Sequence, residues 1–126
     1  MSGSFAPPTN QLGDINYTTP TLLNGWTTYA GYTPGYKRLG NGVVSVRGVL
    51  QKNNPASTEV LFNFPSNGGY RHSSAADLFF SCNLVGDGVY RSGFFSVTSG
   101  GDVIIYLPAT LASVIIYLSS LRFEAL

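Results

Sequence analysis

The sequence predicts an all-β fold, a single antiparallel β-sandwich or jelly-roll-like domain behind an extended N-terminal arm. Three observations predict it. Short apolar segments alternate with turn signals at Gly40-Asn41-Gly42, Asn53-Asn54-Pro55, Asn67-Gly68-Gly69, Gly86-Asp87-Gly88 and Gly100-Gly101-Asp102. Within several of these segments polar and apolar side chains alternate with period two, as a pleated strand with one covered face requires. No long stretch free of Gly and Pro carries a 3.6-residue apolar period, so helix is scarce, with at most one turn in "ATLASV". A chain of 126 residues suits one domain with one core.

Taken in order, residues 1–20 are rich in Pro, Gly, Ser, Thr and Asn with few apolar anchors, and read as a flexible arm or linker. The compact domain is expected over 21–126. "NGWTTYAGYTPGY" follows, with Trp26 the expected anchor of a core or of a contact between protomers. Tyr29, Tyr32 and Tyr36 fall among Gly, Pro and Thr, which reads as a loop too irregular to bury every ring. In the next run Val44, Val46 and Leu50 share one face with Gly48, while Ser45 and Arg47 point the other way. Arg47 is expected as an interior or interface hydrogen-bonding partner. Val60, Phe62 and Phe64 then oppose Glu59 and Asn63, so that Glu59 is expected outward. Residues 89–98 are apolar on both faces, Val89, Phe95 and Val97 against Tyr90 and Phe94. "VIIYL" occurs at 103–107 and again at 114–118, apolar throughout. Strands covered on two sides exceed what one small core absorbs, and self-association is the natural outlet.

Charged residues make up 10% of the chain against a usual quarter, and net charge is +1. With no Lys/Arg run, nucleic acid is not an expected partner. Neither long apolar run approaches the ~20 residues that span a bilayer, so no membrane insertion is expected. The first ten residues lack the basic and apolar regions of a secretory signal. Cys82 is the single cysteine, which rules out an intrachain disulfide, and within "LFFSCNL" it reads as a small core residue. His72 is the single histidine, so a site of several imidazoles is excluded, and no CxxC, HExxH or GxSxG spacing occurs. Asp87 and Asp102 sit in Gly-rich turns where Asp bonds locally. These features predict no enzyme, no metal and no cofactor.

"NGWTTY" at 24–29, "YKRLGNGVVSVRGVL" at 36–50, "LFNFP" at 61–65 with "YR" at 70–71, and "YLSSLRF" at 117–123 form an ordered set. That order resembles the C-terminal receptor-binding or head domain of bacteriophage tail-fibre, baseplate and head-fibre proteins. The resemblance covers residues 22–126 and implies a β-sandwich, usually a homotrimer, at the tip of a virion appendage. It implies as partners a host cell-surface glycan and other virion fibre or baseplate proteins. Rigid tyrosines with hydroxyl tips suit stacking on sugar rings and bonding to their hydroxyls. The candidate ligand-binding residues are therefore Tyr29, Tyr32, Tyr36, Arg71, His72, Asp77 and Arg91. The alternative reading is a structural module that caps a fibre or decorates a capsid, trimerising without binding glycan.

Overall fold

In the computed structural model, residues 14–64, 70, 72 and 76–125 are described, and the fold is all-β among them. The expected turn at 67–69 and the candidate Arg71 lie outside the described residues. Ten strands form two sheets: β1 Thr27–Thr28, β2 Gly35–Arg38, β3 Val43–Arg47, β4 Val49–Asn53, β5 Thr58–Asn63, β6 Leu78–Gly86, β7 Val89–Val97, β8 Asp102–Tyr106, β9 Ser113–Tyr117 and β10 Arg122–Glu124. The large sheet has seven strands in the order β1-β4-β9-β6-β7-β8-β5, and the small one has three, β10-β3-β2. Every pairing is antiparallel. "ATLASV" forms no helical turn; it makes bends around Leu111, which drops into the core.

The sheets face each other across one apolar interior. Tyr36, Val44, Val46 and Phe123 come from the small sheet, and Leu50, Phe62, Leu84, Phe95, Ile105 and Ile116 from the large one. Its densest part is aromatic. Tyr36 lies edge-on to Phe64 at 5.0 Å and to Tyr70 at 5.1 Å, and Phe64 meets Phe123 at 5.2 Å. Such edge-to-face pairs each contribute about 0.5–1.5 kcal/mol beyond the area they bury. Tyr36 is thus a core residue on β2, only 4% exposed, where the sequence placed it in an open loop. Its ring is the knot between the sheets.

Residues 43–53 read as one run, but they change sheets at Gly48. This residue has φ of +118°, and a Cβ there would lie 2.5 Å from the Pro34 Cα. Only glycine fits both conditions. The strand therefore leaves the small sheet as β3 and enters the large one as β4. A second irregularity lies in β5, where the register with β8 shifts between Val60 and Phe62. That bulge turns Leu61 inward beside Phe62, so both are fully buried.

Two polar contacts were not foreseen. Glu59 does not face water: its carboxylate accepts from Trp26 Nε1 at 3.0 Å, Lys52 Nζ at 2.6 Å and the Ala56 amide. Burial alone would raise its pKa, but these three donors outweigh that and hold it below the ordinary Glu range. Asp87 accepts from the Ala112 and Ser113 amides, both at 3.0 Å, so it braces the β6–β7 hairpin against β9 instead of bonding locally. Residues 14–18 lie along β2. Thr18 and Tyr36 exchange backbone hydrogen bonds, and Asp14 accepts from the Arg38 amide and the Tyr70 hydroxyl.

Candidate functional site

The outward side of the large sheet is set by the alternation of β6 and β7. Cys82 and Leu84 turn inward, so Phe79, Ser81 and Asn83 turn outward, and their partners Ser96, Phe94 and Ser92 follow from the register. Two features result. Towards one end, Phe94 stacks on Tyr106 at 4.7 Å and meets Phe79 at 6.0 Å, a largely exposed aromatic cluster roofing the buried Ser96. Ser96 Oγ donates to the Tyr106 hydroxyl at 3.4 Å, so the one hydroxyl trapped beneath the rings has a partner. Towards the other end lies an open cleft of about 390 Å³ lined by Asn83, Leu84, Tyr90, Arg91, Ser92 and Tyr117.

That cleft has the chemistry for recognising a polyol. Tyr90 is 86% exposed and Tyr117 partly so, and between them the exposed Asn83 pairs with Ser92 across β6 and β7. Two ring faces can stack on apolar sugar surfaces while an amide and a hydroxyl donate to or accept from ring hydroxyls. Arg91 bounds it from the core-facing side of β7, where its Nε donates to the Gly86 carbonyl at 3.1 Å. One donor of the guanidinium is thereby spent on the hairpin.

A second cleft, about 400 Å³, opens where the strand changes sheets and is lined by Gly31, Tyr32, Thr33, Arg47 and Gly48. Tyr32, 60% exposed, forms one wall. Arg47 is exposed at the end of β3, which excludes the interior half of the interior-or-interface expectation, and its guanidinium lies 3.7 Å from the Tyr17 ring centroid.

The remaining candidates do not converge on either cleft. Tyr29 is half-buried and donates its backbone amide to the Val49 carbonyl, extending the β1 edge. Tyr36 is in the core. His72 is 3% exposed, with Nε2 donating to the Val97 carbonyl at 3.0 Å and its ring edge-on to Phe123. Asp77 is exposed just before β6, at the Leu78↔Val97 end of the β6–β7 ladder. Arg91 sits six residues further along at the Leu84 register, about 20 Å away at the rise of a strand. No Asp/His pairing with Arg91 is possible. Among the described residues no three His, Cys, Asp or Glu side chains come together as a metal site. Burial pushes the Cys82 thiol up to about 12, which leaves it protonated and inert.

Of this cleft only Arg91 was among the candidates; Asn83, Tyr90, Ser92 and Tyr117 were missed. Tyr90 and Ser92 share a phase in residues 89–98, which was legible. Placing Asn83 beside them and Tyr117 beyond it requires the β6–β7 and β6–β9 registers, which join residues far apart in the chain.

No protein-family model and no curated protein sequence matches this chain. Two solved structures do. The receptor-binding protein of Listeria phage PSA superposes with a TM-score of 0.69 at 14% identity, over 86% of this chain and 63% of that one. The head domain of lactococcal phage bIL170 superposes with a TM-score of 0.64 at 19% identity, over 90% of this chain and 100% of that one. The chain thus spans less than two thirds of the Listeria phage protein but the whole of the bIL170 head domain. At such identities the likeness is one of fold, and it is the likeness the ordered motifs implied: this chain is similar in fold to phage receptor-binding and head domains.

Proposed function

We propose that this domain is a non-catalytic receptor-binding module at the tip of a bacteriophage tail or fibre, which attaches the virion to a saccharide on the host surface. The observation that carries this is the Tyr90–Tyr117 cleft with Asn83 and Ser92 between its rings, on a fold that two phage receptor-binding domains share. An open cleft of this size supplies millimolar to micromolar affinity, about 4 to 8 kcal/mol. A homotrimer, the number the sequence resemblance implies, would present three copies and raise the effective affinity by roughly 10² to 10⁴ through local concentration. The exposed Phe79–Phe94–Tyr106 cluster is the surface on which such copies meet. Weak single sites then suffice to hold a particle to a cell.

The test is a glycan array read with the full chain both free and in multivalent display. Binding that is weak alone, strong in display and lost in Tyr117→Ala supports the reading. Equal affinity in both formats, or an unchanged Tyr117→Ala variant, refutes it. The aromatic cluster by itself equally suits a module that only assembles and caps a fibre. Failure to bind any susceptible host cell, with assembly intact, selects that second function.

A further inference from the structure

We propose that the outer face of the small sheet holds an oxyanion site, built from Arg47 and Lys37 around the Tyr17 ring, that takes a carboxylate or phosphate group. That the oxyanion is carried by a surface saccharide rests on the function proposed above; the binding of the anion itself does not.

The alternation of the small sheet puts Tyr36, Val44, Val46 and Phe123 inside, so Lys37, Ser45, Arg47 and Arg122 share the outward face. Ser45 pairs with Lys37 on one side and Arg122 on the other, and Gly35 pairs with Arg47. Three of the chain's seven Lys and Arg therefore gather on one short sheet. Glu124 is the single acid on the strands of that face, opposite Val43 at its far edge. Among the described residues the one ion pair is Lys52–Glu59; the Asp14 carboxylate, beside Arg38 on β2, is felt by Lys37, whereas Arg47 and Arg122 have no carboxylate partner there.

Arg47 and Lys37 are moreover directed at one ring. The Arg47 guanidinium carbon is 3.7 Å and Lys37 Nζ 4.8 Å from the Tyr17 centroid. A cation gains from the ring face, but two cations held at one ring also repel each other, and a bound anion nearby offsets that repulsion. Gly35 makes the arrangement possible: a Cβ there would stand 3.0 Å from Tyr17 Cβ and 3.5 Å from Arg47 Nε. The ring holds the guanidinium close, and none of its N–H donors has a hydrogen-bond partner among the described residues. A planar donor fork pre-set in this way fits two oxygens of a carboxylate or phosphate. The adjoining cleft of about 400 Å³, lined by Tyr32, Thr33 and Arg47, has room for the group that bears them.

The test is an amide-resolved NMR titration of the full chain at low salt with inorganic phosphate, with glucuronate and with glucose. Saturable shifts at Tyr17, Gly35, Lys37 and Arg47 are expected with phosphate, glucuronate or both, at millimolar affinity, and none there with glucose. Which anion saturates identifies the group recognised. Arg47→Gln should weaken binding at least tenfold and Lys37→Gln several-fold, while Lys52→Gln leaves it unchanged; the amide spectrum of each variant reports whether it is folded. Shifts spread equally over Lys52, Arg38 and Arg91, absence of saturation with both anions, or full binding by both folded variants would overturn the site. Loss of glycan binding in Tyr117→Ala with phosphate binding retained separates this inference from the function above.

Discussion

The outer face of the large sheet carries Phe79, Phe94, Tyr106, Tyr90 and Tyr117 with a single charged side chain on its strands, Asp102, whereas that of the small sheet carries Lys37, Arg47, Arg122 and Glu124. Both faces are made by the same period-two rule from one chain of net charge +1. The difference teaches that a nearly neutral composition is an average over unlike surfaces. One sheet turns rings to solvent and is suited to sugars and to further copies of itself. The other concentrates positive charge and is suited to an anion. The absence of a Lys/Arg run argued against nucleic acid as a partner, and it is the fold that gathers the few cations on one face.

The comparison depends on the strand that passes from one sheet to the other, and breaking that passage should have the largest effect. Gly48→Val forces a side chain into Pro34 and strains a positive φ. A destabilisation of about 3 kcal/mol or more is expected, lowering the thermal midpoint by about 10 °C or more. A variant melting with the wild type would mean that the crossover is not rigid.

Next in size is assembly. Phe94→Asp places a charge in the exposed aromatic cluster of the large sheet, and should convert an oligomer into the 13.5 kDa monomer in sedimentation at micromolar concentration. The corresponding Arg122→Asp change on the small sheet should leave the oligomer intact. If both or neither dissociate it, the two faces are not functionally distinct in the way described.

A smaller effect concerns Glu59, which ties β5 to Trp26 and Lys52 near the β1 edge. Its pKa is lowered in the folded state from an ordinary 4.5, so its contribution is full above 4.5 and is lost as pH falls through the lower folded value. Wild-type stability should drop in that acid window. Glu59→Gln should be destabilised by about 1–2 kcal/mol at pH 7 and converge on the wild type at low pH, as measured by denaturant melts at each pH. Parallel curves at all pH values would show that the carboxylate charge is not what matters.

Smaller again, Asn83→Ala should reduce binding of a neutral glycan about five- to tenfold, the worth of roughly one hydrogen bond, with no change in the salt dependence. Smallest is Lys37→Gln, a half-buried surface position, whose stability should stay within about 0.5 kcal/mol of the wild type. Together these last two sharpen the contrast, because one should alter recognition of neutral sugar only and the other of anion only.

Much of this molecule was legible in the sequence. Gly86-Asp87-Gly88 announced the β6–β7 hairpin, and the inward phases of Val44, Val46, Phe62, Phe95 and Val97 were readable because alternation is a local property. Trp26 was expected as an anchor and is buried. Tyr36, Arg47, His72 and Glu59 show where such reading stops. Tyr36 and His72 look like surface polar groups, but each meets a covering neighbour from a distant segment. Arg47 keeps the outward phase that alternation gave it but ends exposed at the Gly48 crossover, and Glu59 loses its expected phase at the Val60–Phe62 bulge, which puts it opposite the inward Ile105.

By itself, then, the sequence determined the strand-and-turn character, the inventory of chemistry and the lack of a multi-histidine or intrachain disulfide site. These follow from residue types and from periodicities within a few residues. Only the tertiary structure decided which outward residues stand side by side: Asn83 with Ser92 and Tyr117, Phe94 with Tyr106, Arg47 and Lys37 with Tyr17. Register between strands is fixed by the packing of the buried faces, and a shift of one residue would turn every side chain to the other side of its sheet. The make-up of each outward surface is thus a by-product of how the core closes, which no local pattern in the chain records.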